Sequence, residues 1–341
     1  LRQKQKEFNT VTRSLSEGLV LMNSSGTVLS INPAATRLLE ITPNCLGADF
    51  GVANRNAAIS ALVEKALTGE KAEENVALTD GEYLAAASPV RSDGAVFGVV
   101  LLLFDVTQKQ KAEALRREFT ANVSHELKTP LTSISGYAEL IETGIAKPED
   151  TPDFAHKIHV EASRMIQLVN DILQLSNLDN VSETGASPTM ETVDLLDVAQ
   201  ECVERQKVNA RRSYISLTYL GESAPVTGSR SLLDELCQNL CDNAIRYNRP
   251  GGKVQVITAR TRDGHCTLTV KDNGIGIPKE AQASVFERFY RVDKSRSKAT
   301  GGTGLGLAIV KHIARIHNAR IKLDSVVDEG TTITVIFETA S

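Results

Sequence analysis

Phe119-Thr-Ala-Asn-Val-Ser-His125-Glu-Leu-Lys-Thr-Pro130-Leu131 is the stretch around which this 341-residue chain is organised. Apolar residues at Leu115, Phe119, Val123, Leu127, Leu131, Ile134, Ala138 and Ile141 recur every three or four positions, the stripe of a core-facing amphipathic helix. At roughly 100° per residue, His125 falls opposite the middle of that stripe. Pro130 has no N–H to donate to the carbonyl of Glu126, so the helix is expected to loosen or bend just beyond the histidine. Glu126 is the neighbour of His125, and Thr129 lies one turn on, sharing its face.

Length and composition bound what surrounds this helix. A chain of 341 residues with 41% hydrophobic content supports two or three domains, each with its own core. The formal net charge of −4 excludes the clustered basic excess that nucleic-acid binding requires. Five cysteines (Cys45, Cys202, Cys237, Cys241, Cys266) form no C-x-x-C pair, a usage that suits a reducing cytoplasm. Cys237 and Cys241 are four apart, but no His or third Cys is near them in sequence, so packing is expected rather than a metal. The longest apolar run, Ala95 to Phe104, is well short of the roughly 20 residues of a spanning helix. The opening Leu1-Arg-Gln-Lys-Gln-Lys-Glu7 reads as the tail of a helix entering from upstream, which makes the chain an expected fragment of a longer protein.

Outward from the histidine toward the N-terminus the elements are short. Gly18 to Asn23 and Thr27 to Asn32 are strand-like around Ser24-Ser25-Gly26, and Asn32-Pro33 opens a helix through Leu39. Glu82 to Val90 and Val96 to Phe104 form a second strand pair across Arg91-Ser-Asp-Gly94. Asp105 and Thr107 can cap a helix beginning near Gln108, which then runs without a break into the His125 segment. This order, with Ile31-Asn-Pro-Ala-Ala35 and Asp105-Val-Thr107, resembles a PAS sensor domain. His125 is the first histidine, so a His-ligated haem is excluded there, and Cys45 reads as a buried structural thiol.

Toward the C-terminus, Thr143 to Asp150 is rich in breakers and separates the first helix from a second, which carries Phe154, Ile158, Ala162, Met165, Val169 and Ile172 at helical spacing. A hairpin with an apolar stripe on each arm is best satisfied by a copy of itself, so a four-helix bundle across a two-fold axis, hence a homodimer, is expected. Asn180 to Met190 reads as a linker. Beyond it the strands Ile215 to Leu220, Val254 to Thr261, Cys266 to Val270, Ile321 to Val326 and Thr332 to Glu338 alternate with helices at Leu232 to Tyr247, Lys279 to Phe286 and Gly306 to His317. Asn318 stands where a left-handed cap is wanted. The expected fold is a two-layer α+β sandwich.

Four motifs in this last part carry chemistry. Glu235, Asn239 and Asn243 line one helix face, and carboxamide oxygens there are hard ligands suited to Mg²⁺. Arg246 and Tyr247 follow, a cation for phosphate and a ring for adenine. Asp272-Asn-Gly274-Ile-Gly276-Ile-Pro278 ends a strand in a glycine loop, where a carboxylate can accept from the adenine amino group. Val285-Phe-Glu-Arg-Phe-Tyr-Arg-Val292 precedes a Lys/Arg/Ser-rich stretch, Asp293 to Lys298, read as a lid. Gly301-Gly302-Thr303-Gly304-Leu305-Gly306 then brings glycines to a helix start, where free N–H groups favour anions.

Taken together, these motifs resemble the Bergerat/GHKL-type ATP-binding domain shared by histidine kinases, gyrase-type topoisomerases, Hsp90 chaperones and mismatch-repair ATPases. The His-Glu-x-x-Thr-Pro segment resembles the phosphoacceptor box of sensor histidine kinases, and the Phe-Glu-Arg-Phe-Tyr-Arg string selects that branch. The resemblance implies residues 1–107 as a PAS-like sensor, 108–180 as a signalling helix and phosphotransfer hairpin, 181–191 as a linker and 192–341 as the catalytic ATP-binding domain. It implies His125 as the phosphorylated nucleophile, oriented by Glu126. Asn243 with help from Asn239 would hold Mg²⁺, Asp272 would read adenine and Arg291 would contact the γ-phosphate of ATP. Phosphoryl transfer to an aspartate of a response regulator receiver domain, a phosphatase role for Thr129 and a membrane-anchored parent are further implications. Two rivals stand beside this reading: an ATPase of the chaperone or topoisomerase kind, and a non-catalytic scaffold, against which the retained Asn243, Asp272 and lid glycines argue.

Overall fold

The computed structural model describes residues 12, 14–42, 45–184, 188–292 and 302–338, with the side chains of 180–184 excepted. The expected entering helix at Leu1 to Glu7, the lid at Asp293 to Lys298 and Gly301 lie outside the described residues. The chain divides into two compact units, Leu1–Thr120 and Ala121–Ser341.

In the first unit, β1 (Gly18–Asn23), β2 (Val28–Ile31), β3 (Ala72–Leu78), β4 (Gly81–Ser92) and β5 (Ala95–Asp105) form an antiparallel sheet in the order β2-β1-β5-β4-β3. Three helices, α1 (Pro33–Leu38), α2 (Phe50–Ala53) and α3 (Ala57–Leu67), belong with it. The core joins Phe50, Ile59, Leu62 and Val63 to Val20, Met22, Val99, Leu101 and Leu103 of the strands. Asn32 is the polar pin of this unit. Its Oδ1 accepts from the N–H groups of Ala35 (2.8 Å) and Leu19 (3.0 Å), and its Nδ2 donates to the carbonyl of Glu17 (2.8 Å), so a buried amide is satisfied while it caps α1. The β4–β5 hairpin turns on Asp93 and Gly94 at φ +52° and +82°, the left-handed pair that a two-residue loop needs. Cys45 is buried, as expected. The strand β3 and helices α2 and α3 were not anticipated.

Helix α4 (Thr107–Glu142) contains Pro130 without interruption of its span, and α5 (Thr151–Thr184) returns from it. Asp105 accepts from the Thr107 N–H at 2.8 Å as a cap would, but the Thr107 hydroxyl accepts from the Glu82 N–H at 2.9 Å and so serves the sheet. Tyr137 and Phe154 pack across the hairpin with ring centroids 5.4 Å apart. Helix α5 proves apolar on two faces. Leu168, Leu175 and Leu178 are buried, whereas Val160, Ile166, Val169 and Leu173 are exposed, as are Leu115 and Leu131 of α4.

The remainder of the second unit is the expected sandwich. A five-stranded sheet runs in the order β11-β12-β10-β9-β7, built from β7 (Ser216–Gly221), β9 (Lys253–Arg260), β10 (Cys266–Asp272), β11 (Arg320–Val326) and β12 (Gly330–Phe337). Only the β7–β9 pair is parallel among these neighbours. A small second sheet pairs β6 (Glu191–Asp194) with β8 (Pro225–Gly228). The covering helices are α6 (Leu195–Arg212), α7 (Arg230–Arg246) and α8 (Gly306–Ile316), with α7 packed between the other two. Asn318 adopts the left-handed conformation expected of it, φ +50°.

One expected helix is absent and one was missed. Lys279 to Phe286 forms successive turns, with Ala281 N–H bonding the Pro278 carbonyl (3.0 Å) and Ser284 N–H that of Ala281 (3.0 Å), so bonds of the tighter i to i+3 kind replace a sustained α-helical ladder. The third helix of the layer is instead α6, whose start is capped by Asp194 through the Leu196 N–H at 3.0 Å. His317 locks α8 to the start of α7. Its Nε2 accepts from the Ser229 N–H at 3.0 Å and its Nδ1 faces the Ile313 carbonyl at 2.8 Å, an arrangement that requires the neutral ring, and burial lowers its pKa accordingly. The imidazole lies directly over Gly228, where a Cβ would stand 2.7 Å from the ring.

Candidate functional site

Two groups of predicted residues come together within the second unit. On α4, His125 projects its side chain into solvent at 80% exposure. Its Nδ1 lies 3.9 Å from Glu126 Oε1, longer than a hydrogen bond. Thr129 donates its hydroxyl to the His125 carbonyl at 3.3 Å, one turn back along the same helix. Glu126 has two cationic neighbours. Arg164, reaching from α5, stands 3.8 Å from Oε2, and Arg291 stands 3.4 Å from the same oxygen. Arg291 is itself buried, 6% exposed, and donates to the Gly302 carbonyl. Burial pushes its pKa down and Glu126 opposes that shift, so the carboxylate offsets part of the cost of enclosing the guanidinium charge. Arg164 was missed by sequence reading, because nothing in the α5 pattern reveals which residue of α4 it meets.

The second group gathers around α7 and the start of α8. A Cβ on Gly306 would lie 3.0 Å from Asn239 Oδ1 and 3.5 Å from Asn243 Nδ2, so the glycine lets the α8 terminus approach both amides without crowding Asn239. Asn239 donates Nδ2 to the Glu235 carbonyl at 3.1 Å, which turns its oxygen toward α8. That terminus has no side-chain cap; Leu305 donates its N–H to Thr303 Oγ1 at 3.3 Å, and Leu305 itself is fully buried. Gly302 lies against Tyr247 and Arg246, with hypothetical Cβ contacts of 3.0 Å to the phenol oxygen and 3.2 Å to the guanidinium. Gly304, at φ +74°, crosses the Phe289 backbone. Asp272 is tied to the same group through Gly274, which packs against the Tyr247 carbonyl. Its Oδ1 accepts from the Gly274 N–H (2.8 Å) and the Thr331 N–H (3.2 Å), and burial raises its pKa despite them. Gly274 passes beneath the Tyr247 carbonyl and Gly276 beneath that of Val326, so the glycine loop is fitted closely on both sides.

The two groups are bridged by α5. Thr303 donates to Asp171 at 2.6 Å, Arg288 pairs with Asp179 at 2.8 Å, and His312 lies 3.4 Å from the same carboxylate. Glu235 is enclosed where α7 meets α5, and desolvation lifts its carboxyl to about 7 although Gln174 bonds it.

An exposed histidine on a helical hairpin, set beside an α/β layer whose amides and glycines converge on a helix terminus, defines a phosphoacceptor helix coupled to an ATPase-type domain. Residues 115–181 match the His Kinase A (phospho-acceptor) domain, and residues 228–341 match the histidine kinase-, DNA gyrase B-, and HSP90-like ATPase domain. The sensor-like histidine kinase SenX3 of Mycolicibacterium smegmatis is 41% identical over 268 residues, covering 74% of this chain and 68% of that relative. The sensor protein kinase WalK of Staphylococcus aureus is 34% identical over 345 residues, covering 97% and 80%. Against the WalK protein of Staphylococcus haemolyticus, 34% identical, the chain spans about half the relative's length, 55%. The fold is similar to that of the histidine kinase ThkA, solved in complex with the response regulator protein TrrA, at a TM-score of 0.53, 21% identity and 97% and 98% coverage. The chain belongs to the sensor histidine kinase family, and its N-terminal unit is consistent with a PAS domain.

Proposed function

We propose that the chain phosphorylates its own His125 from Mg·ATP and passes the phosphoryl group to an aspartate of a response regulator. The observation that carries this reading is the contact between Glu126, neighbour of the exposed histidine, and Arg291, which comes from the segment beside the cleft. Glu126 accepts the proton of one imidazole nitrogen and so leaves the other a better nucleophile. Arg291 then exchanges Glu126 and the Gly302 carbonyl for the γ-phosphate, while Arg246 serves the remaining phosphates and Asp272 the adenine amino group, with Tyr247 against the ring. Asn243 and Asn239 would hold Mg²⁺, which supplies charge neutralisation; the Asn239 oxygen already turned toward α8 fits a hard ligand. The α8 terminus, without a side-chain cap, offers its N–H groups to phosphate.

The exposed apolar residues of α4 and α5 support a homodimer built on a four-helix bundle, and the ThkA complex with TrrA supports a regulator as partner. Thr129 assists dephosphorylation of that regulator. The proposed division is a sensor in residues 1–107, a hairpin in 108–180, a linker in 181–191 and a catalytic domain in 192–341. Among the described residues no helix is long and apolar enough to cross a membrane; the greater length of the relatives supports an anchor elsewhere in the parent protein.

The test is incubation with γ-labelled ATP. Acid-labile label should appear on the chain and be abolished by His125→Gln, with nucleotide affinity unchanged. Label that persists on the variant would sink the reading, and ATP turnover indifferent to His125 would favour the chaperone-like ATPase.

A further inference from the structure

Three thiols far apart in sequence meet behind the amide-bearing helix. Cys202 projects from α6, and Cys237 and Cys241 from successive turns of α7; all three are 0% exposed. Their sulfurs lie within 4.8 Å of one another, with Cys202 Sγ and Cys241 Sγ 3.6 Å apart. The expectation that Cys237 and Cys241 merely pack rested on the lack of a third ligand nearby in the chain, and the fold supplies that ligand from α6.

The spacing suits a shared ion. Three sulfurs bound at about 2.3 Å to one centre stand about 3.8–4.0 Å from each other, so the triangle needs only small side-chain shifts. Neither His nor carboxylate joins the group among the described residues. A structural zinc site takes four ligands, and full burial leaves no open water position, so a cation content with three soft ligands fits better. Arg205 lies against Cys202 and offsets part of the thiolate charge. Thiols ligate as thiolates, so their protons leave to solvent as the ion enters.

We propose that Cys202, Cys237 and Cys241 form a three-thiolate site for a soft monovalent d¹⁰ cation, Cu(I), inside the sandwich. No electron moves on binding; thiol protons are exchanged for the metal. Gln238-Asn239 and Asp242-Asn243 directly follow the two α7 cysteines, so the ion would clamp α6 to α7 at the level of the nucleotide amides. The site is independent of whether His125 is phosphorylated.

The reduced full chain is titrated anaerobically with Cu(I) against a chromophoric Cu(I) chelator, and separately with Zn²⁺. One equivalent of Cu(I) should be held, more tightly as pH rises, with affinity lowered about a hundredfold in Cys202→Ser and unchanged in Cys45→Ser and Cys266→Ser. X-ray absorption of the Cu(I)-loaded wild type should count three sulfurs, a measurement that needs no variant to fold. Wild type no better than Cys202→Ser, two sulfurs or fewer, or loss of binding in Cys266→Ser overturns the site. Preferential uptake of Zn²⁺ overturns the three-coordinate assignment. A Cys202–Cys241 disulfide formed by hydrogen peroxide in a chain that takes up no Cu(I) assigns the cluster to redox chemistry instead.

Discussion

The hairpin and the sandwich of the second unit solve the burial problem in opposite ways. The sandwich closes on itself: Leu233, Leu236 and Leu240 of α7 and Ile309, Val310 and Ile313 of α8 are buried together with Val254, Val256, Leu268 and Val335 of the sheet. The hairpin does not. Leu168, Leu175 and Leu178 are covered, yet Ile166, Leu173 and Leu131 remain 56–63% exposed. An element that leaves large aliphatic side chains in a row on both arms is unfinished as a single copy. The part bearing His125 is therefore the one for which association is proposed, and the part bearing Asn239, Asn243 and Asp272 closes its own core.

That contrast is broken most directly through association itself. A fragment of residues 111–179 should run as a dimer, and Ile166→Asp with Leu173→Asp in the full chain should return it to monomer. If those side chains face only solvent, the substitutions will change stability by no more than about 0.5 kcal/mol and leave the mass by light scattering untouched.

The boundary between the two regions is tested next by Glu235→Gln. In the folded chain the Glu235 carboxyl holds its proton up to about 7, against an ordinary value of 4.5. Folding thus takes up a proton between those limits, and stability contributed by this group falls as pH rises through them. The amide has no such dependence. Its advantage over wild type should be absent below pH 4.5 and reach about 3 kcal/mol above pH 7, read from denaturant unfolding at two pH values. An equal effect at both would mean that Glu235 is ionised where it lies.

Within the self-contained region, Asp272→Asn should weaken ATP binding by about tenfold or more, the cost of about 1–3 kcal/mol for a mispaired buried acceptor, without changing oligomeric state. Calorimetry showing unaltered affinity removes Asp272 from the adenine contact. The smallest effect is expected on the hairpin. Thr129→Ala should leave the rate of His125 phosphorylation near normal and selectively slow loss of phosphate from the regulator. Parallel loss of both activities would mean that the hydroxyl only steadies the helix through its bond to the His125 carbonyl.

Legibility followed the range of the interactions. Glycine and proline turns, the Asn32 cap and the strand pairs could be read because their determinants are local. Helix α6 was equally readable, since Leu195, Val198, Ala199, Cys202 and Val203 repeat at helical spacing after a capping Asp194; at Lys279 to Phe286 the spacing of Ala281 and Val285 is helical, but the segment closes as successive turns with a single i to i+4 bond between those two residues. The motif residues of the cleft were legible as types, and their neighbours were not. Arg164 on Glu126, Asp171 on Thr303, and Cys202 beside Cys237 and Cys241 are meetings of distant segments, fixed by how α5 and α6 pack, with no trace in any one stretch of sequence.

The imidazole laid over Gly228 has a consequence for inheritance. A side chain at position 228 is barred by the ring of His317, and the ring keeps its place through the backbone N–H of Ser229, the next residue. Neither position can drift alone: a larger residue at 228 displaces the ring and strands a buried donor, while loss of the ring opens a hole that a larger residue at 228 could then fill. Across descendants of this chain the two sites should change as a pair, some ninety positions apart in the gene and adjacent in the fold.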